Sequence, residues 1–325
     1  MTVKYFILKN IRKIVTRILK TNPNKELICE TRLNLFENYI NNNGFIESIK
    51  EIFRAYSNIS PPKYFETELA ITAILKNEAP YIKEWIEFHK LVGVQKFFLY
   101  DNESNDNIKE ILQPYIEAKE VIYTYLPGEK QQFIAYQDSI RKNANKVKYM
   151  AFIDIDEFIT PVKYDTITEF LKYAESKEKH IGAIGINWVM HGFNGHKTTP
   201  EGLVCENFSR CDFDTDRNKH IKSIVNPRTV IFANHPHYFV HKLGVKIINS
   251  CGEETYGPFS EQDYEHIIIN HFWTKSYEEY LKRCKKGKAD GAEPIKIAYS
   301  PDFLSKDENK SMERFIPLLK EKISF

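Results

Sequence analysis

The stretch MAFIDIDEFITP, residues 150–161, runs apolar from Met150 to Ile153, sets down Asp154, Asp156 and Glu157, and turns apolar again at Phe158. That pattern predicts a buried strand over residues 149–155, tipped with acids. Unpaired charge is costly to bury, so acids in such a place are paired or hold a metal. Asp154 and Asp156 stand two apart, so on a strand they share a face and can converge on one cation. A hard divalent ion held by few carboxylates keeps open positions, which substrate phosphates commonly fill.

Upstream, residues 69–75 (LAITAIL) and 94–100 (VQKFFLY) predict two further strands. Between them lies a helix with Asn77 as its cap, Pro80 in its first turn and Gly93 at its end. The loop DNESND (residues 101–106), a helix to Tyr115, a strand near residues 121–125 and a helix over residues 131–143 lead into the acid-tipped strand. Downstream, Thr166-x-x-Glu169 reads as a capping box that opens a helix, and residues 181–189 as another strand. Strands alternating with helices of this length indicate an α/β domain, an open and mostly parallel sheet with helices on both faces. In such sheets ligands sit outside the carboxyl ends of the strands. Lys76-Asn77-Glu78, residues 101–106 and Asp154-Ile155-Asp156 all fall at that edge, and loops converging there make a site. Ser60-Pro61-Pro62 marks a boundary, giving an N-terminal helical segment (residues 1–62), a main domain (63–300) and a C-terminal helical tail (301–325).

Four elements, in order, carry a resemblance to a known family. They are KNEAPYIKEWIEFHKLVGVQKFFLYDNESND (residues 76–106), FIDIDEF (152–158), WVMHGFNGH (188–196), and Asn270-His271 followed by Lys275-Ser276 and Glu278-Glu279-Tyr280. Together they resemble glycosyltransferase family 92 and related family 2-like bacterial enzymes, over residues 69–287. The resemblance implies a GT-A fold, a nucleotide-sugar donor and a Mn2+ or Mg2+ ion. The chain departs from the family pattern at His191-Gly192-Phe193-Asn194, on the acceptor side.

By resemblance Asn77, Glu78 and Asp101 contact the nucleotide, with Lys76, Asn102, Asp154 and Lys275 around the same donor. Asp154, Asp156 and His271 are the metal-ligand candidates, and Glu157 reads as a turn residue beside them. Each has a plainer reading. Asn77 can simply cap a helix, Asp101 and Asp106 can form an Asx-rich turn, and His271, after the apolar residues 267–269, can be a core histidine. Lys275 and Arg283 flank a second capping box, Ser276-x-x-Glu279, and either meet phosphate as that helix begins or face solvent. If the reaction inverts, it needs a general base beside the anomeric carbon, and His196 and Glu206 are the candidates. His235, His237 and His241 read equally as a ligand cluster or a solvated turn.

The chain as a whole narrows the classes. Its 325 residues, 42% of them hydrophobic, are ample for a core, and a net charge of +2 gives no field to favour nucleic acid. Five scattered cysteines without a C-x-x-C pair fit free thiols in a reducing compartment, hence the cytoplasm. No apolar run is long enough to span a bilayer. Residues 1–20 hold six basic residues and no acid, interleaved with Ile7, Leu8, Ile11, Ile14, Val15, Ile18 and Leu19. That makes an amphipathic helix, lying on an anionic membrane surface at its inner face or docked on its own domain. The reading is a metal-dependent glycosyltransferase acting on a glycan or glycolipid acceptor, in bacterial surface polysaccharide synthesis. One rival is a haloacid-dehalogenase-type phosphatase, whose first motif FIDIDEFIT also resembles. That motif normally opens the catalytic domain, and Glu157-Phe158 stands where a small residue and Thr or Val are expected. The other is a non-catalytic sugar- or membrane-binding protein on a transferase fold, against which both D-x-D acids and His271 speak.

Overall fold

A computed structural model of the chain describes residues 37–57, 61–233, 235–285 and 304–323. The basic stretch of residues 1–20 lies outside them. In chain order the strands are β1 (Thr67–Leu75), β2 (Lys96–Asp101), β3 (Val121–Tyr125), β4 (Val147–Phe152), β5 (Glu157–Pro161), β6 (Ile181–His191), β7 (Arg210–Asp212), β8 (Ile221–Val225), β9 (Val230–Phe232), β10 (Val240–His241), β11 (Lys246–Asn249), β12 (Ile267–His271) and β13 (Asp307–Glu308).

β3, β2, β1 and β4 lie side by side in that order and run parallel. β8 is antiparallel to β4 on one side and to β6 on the other, joining this half to a mixed half. There β6 also pairs with β7, β11 and β12, β12 turns back against β5, and β13 closes the edge on β7. Alternation along β1 shows that both faces are covered. Leu69, Ile71, Ala73 and Leu75 pack with Trp85 and Phe88 of the helix Ala79–Leu91 and with Phe170 of the helix Ile167–Lys177. Ala70 and Ile74 point the other way, to Ala135, Tyr136 and Ile140 of the helix Gln132–Asn143. This is the open, mostly parallel α/β sheet expected from the sequence.

The details correct two expectations. The helix Ala79–Leu91 is not capped by Asn77, which sits at φ +58; Asp106 from the next loop accepts the Ala79 N–H at 2.9 Å. The acid-tipped strand stops at Phe152, so Asp154 and Asp156 lie in a turn rather than on one strand face. The described segments on either side also join the domain. The helix Phe45–Ser57 inserts Glu51, which accepts hydrogen bonds from Arg54 (2.7 Å), Gln137 (2.6 Å) and Arg141 (2.5 Å). At the other end Met312, Phe315, Leu319 and Ile323 enter the main core. At Gly192 a Cβ would strike Ser305 Oγ and come within 2.9 Å of the Leu304 backbone, so glycine lets this C-terminal segment lie across β6.

Candidate active site

Between β4 and β5 the chain reverses through residues 153–156, and Glu157 clamps the turn. Its N–H donates to the Asp154 carbonyl at 3.1 Å, and its fully buried carboxylate accepts the Asp154 N–H at 2.8 Å. The two acids then face different partners. Lys222 on β8 donates to Asp154 Oδ2 at 2.9 Å and lies 3.4 Å from Glu157 Oε2. Asp156 Oδ2 accepts from Arg283 of the helix Tyr277–Lys285, and His271 Nε2 lies 3.6 Å away. The antiparallel register of β5 and β12 sets His271 opposite Glu157, and the Phe272 N–H donates to the Asp156 carbonyl at 2.8 Å. Five chain segments therefore meet at one turn.

Burial and charge decide the protonation states. Burial pushes the Glu157 carboxyl up to about 8, more than Lys222 lowers it. Burial works against Asp156 too, but Arg283 and His271 hold its carboxyl well below the usual range. Lys222 loses solvation, yet Asp154 and Glu157 hold it above its ordinary value. Burial lowers His271 despite Asp156. Burial thus favours the proton on Glu157, while Arg283 keeps Asp156 a carboxylate. A divalent ion arriving with a doubly charged diphosphate would add no net charge to the site.

The site also holds polar atoms with nothing to bond. Asp156 Oδ1, Glu157 Oε1, both ring nitrogens of His271 and Trp188 Nε1 are buried without a hydrogen-bond partner, half of the ten such atoms among the described residues. Buried polar groups are normally satisfied, so a cluster of exceptions marks a place built for something else. A carboxylate oxygen from Asp156 and a ring nitrogen from His271 fit Mn2+ better than Mg2+, the two ions that the resemblance implies. Trp188 covers them, its ring 4.4 Å from His271, and His220 and His237 pack on Trp188 at 5.0 and 5.1 Å. His237 is no solvated turn residue: its ring bonds the Ile221 carbonyl at 2.7 Å, and burial pushes it down to about 2.

The other loops meet beside this turn. Asn77 accepts the Asn105 N–H at 2.8 Å and takes Ser104 Oγ on its own N–H at 2.9 Å, so residues 76–78 and 101–106 form one surface. Asp101 shapes that surface from beneath: its two oxygens accept from Ser104 N (2.8 Å) and Tyr123 OH (2.6 Å). Asn102 bonds the carbonyls of Leu126 and Gly128 at 2.9 and 2.8 Å. Lys275, at φ +45, sits 3.7 Å over the Tyr81 ring and 3.9 Å from Glu78, bringing the late motif to the first loop. Lys76 stands at the end of β1, where the surface begins.

The two base candidates are placed differently. His196 is half-buried against Phe208 at 5.4 Å, and its carbonyl accepts the Tyr277 N–H at 3.0 Å. Glu206 lies on the surface in an ion pair with Lys320 at 2.6 Å. Among the described residues neither shares a hydrogen bond, ion pair or ring contact with Asp154, Asp156 or His271. Lys222 was missed by sequence reading; its only signal is a lone cation inside the apolar run IKSIV.

Comparison with known proteins follows the same residues. The family model for glycosyltransferase family 92 matches residues 72–297. A family 92 protein of Ricinus communis is 24% identical over 223 residues, covering 66% of this chain and 38% of the relative. One of Oryza sativa is 28% identical over 184 residues, covering 56% and 31%. A Caenorhabditis elegans protein named as a beta-1,4-galactosyltransferase is 30% identical over 118 residues, covering 32% and 28%. The chain thus spans well under half the length of these relatives. Among solved structures, Staphylococcus aureus TarS in complex with UDP aligns with a TM-score of 0.35 and 13% identity, covering 49% of this chain and 47% of that one.

Proposed function

The chain belongs to glycosyltransferase family 92, and on that premise we propose that it moves a sugar from a nucleotide-sugar donor to a glycan or glycolipid acceptor with a divalent ion. The observation that carries this is the group of unsatisfied buried atoms on Asp156, His271, Glu157 and Trp188. Asp156 and His271 would hold Mn2+ or Mg2+, which supplies Lewis-acid stabilisation to the departing diphosphate.

The remaining chemistry belongs to the chain. Arg283 and Lys275 bring positive charge to the diphosphate from the ends of one capped helix segment. Lys222 fixes Asp154, whose side chain is 35% exposed and faces the donor from the rim. Lys76, Asn77, Glu78 and Asn102 form the surface that takes the nucleoside, and Asp101 holds that surface in shape. Of the two base candidates His196 is favoured, because Glu206 is engaged by Lys320. We place the reaction at the inner face of a membrane in bacterial surface polysaccharide synthesis, approached through the basic residues 1–20. No helix among the described residues is long and apolar enough to cross a membrane.

The test is turnover of UDP-, GDP- and CMP-sugars with Mn2+, Mg2+ or chelator, beginning with UDP-galactose because of the galactosyltransferase relative. Metal-dependent release of one nucleotide is expected. Failure with every donor, while the protein remains folded, would favour the non-catalytic binding protein.

A further inference from the structure

At the opposite end of β12 from His271, side chains of a different chemistry come together. Cys251 lies in the turn after β11, and Asp263 and His266 lie just before β12. Each offers one ligand atom, a sulfur, a carboxylate oxygen and a ring nitrogen, and the three lie within 4.8 Å of one another.

The surroundings hold these atoms in place. Asn249 Oδ1 accepts the N–H groups of Cys251 (3.1 Å) and Glu253 (2.9 Å), and Gly252 between them takes φ +89. The His266 ring stacks on Tyr173 at 5.4 Å, and its Nδ1 pairs with Asp263 Oδ2 at 2.9 Å. Asp263 is buried and also accepts the Glu265 N–H at 3.0 Å. Cys251 is exposed, so a cation has a way in.

Thiolate, imidazole and carboxylate form a donor set that favours zinc and its neighbours over magnesium or calcium, with a fourth position left to water. We propose that Cys251, Asp263 and His266 form a binding site for a zinc-class divalent cation, separate from the donor site. On binding, Sγ exchanges its proton for the cation, Asp263 gives a carboxylate lone pair, and His266 gives a nitrogen lone pair while its ring stays neutral. One proton leaves to solvent, and two anionic ligands neutralise the dication. Partial burial and Asp263 push the free thiol up to about 11, so the cation itself must draw out the thiolate. Such a clip would tie the turn after β11 to the start of the strand that carries His271.

The test is a Co2+ titration of the full chain under reducing conditions, read by the near-ultraviolet thiolate-to-cobalt charge-transfer band. The band should appear with one equivalent, disappear on adding Zn2+, be lost in Cys251→Ser and His266→Gln, and persist in Asp156→Asn. Cys251 is exposed and the His266 side chain is 14% exposed, and unchanged melting curves would show that both variants fold. No band in the wild-type chain, or a band that survives Cys251→Ser, overturns the proposal. So does loss of the band in Asp156→Asn, which would show that the cobalt site is not separate from the donor site.

Discussion

Glu157→Gln replaces a fully buried carboxyl by an amide of the same shape, and its effect on stability should depend on pH with a sign fixed in advance. Burial raises the folded-state carboxyl from 4.5 to about 8, against the pull of Lys222. A folded value above the unfolded one means that the folded protein holds the proton more tightly. That contribution is fully present below about pH 4.5 and is lost as pH rises through about 8. Each pH unit inside the window corresponds to about 1.4 kcal/mol, so the loss is on the order of 5 kcal/mol. Glutamine cannot ionise and does not undergo it. At the acid end the amide leaves an added N–H group beside Lys222, costing about 1–3 kcal/mol. Urea unfolding of wild type and variant, with chelator present, gives the difference directly, because titrations common to both cancel. The difference should move steadily toward the variant from about pH 5 to about pH 8 and then level off. A difference that does not change with pH, or one that moves toward wild type, refutes the protonated Glu157.

Two other substitutions probe the framework. Lys222→Met leaves Asp154 and Glu157 without their buried cation; breaking such a pair costs about 3–5 kcal/mol, and partial exposure of Asp154 favours the lower end. A melting temperature unchanged from wild type would remove Lys222 from the framework. Asp101→Ala strands the Ser104 N–H and the Tyr123 hydroxyl, at about 1–3 kcal/mol for each that water cannot reach. It should weaken nucleotide binding through the loop while leaving metal dependence intact, and calorimetry showing unchanged affinity would contradict that.

The sequence was most informative where the physics is local. LAITAIL is buried on both faces because a parallel strand between two helical layers must be, so its apolar run announced the fold. Both predicted N-caps form: Thr166 Oγ1 accepts the Glu169 N–H at 3.2 Å, and Ser276 Oγ accepts that of Glu279 at 3.3 Å. Only Glu279 closes the box on its cap N–H (3.1 Å), Glu169 taking the Asp165 N–H (3.0 Å) instead. The convergence of loops at one sheet edge follows from parallel strand direction, which alternation of elements already implied. What stayed hidden depended on long-range pairing. Lys222 lies 68 residues from Asp154, and nothing near either shows that β8 enters the sheet beside β4. Residues 153–155 read as strand because Ile153 and Ile155 are buried like strand residues, although they lie in the turn. Asp101 is given to the nucleotide by the family resemblance, and only the fold shows that its oxygens also accept from the Ser104 N–H and the Tyr123 hydroxyl. The pairing of Glu206 with Lys320 required knowing that the C-terminal segment folds back onto the domain.

The most direct measurement is a calorimetric titration of UDP, with parallel runs of GDP and CMP, into wild type and Asp156→Asn in the presence and absence of Mn2+. Asparagine keeps the volume but removes the charge that Arg283 pairs with, so the variant should melt lower than wild type yet stay folded at the temperature of the titration. Wild type should bind one of these nucleotides tightly only when Mn2+ is present, and Asp156→Asn should lose that metal-dependent gain. Equal affinity with and without Mn2+, or full retention of the gain in Asp156→Asn, would contradict a metal–diphosphate site at the turn between β4 and β5.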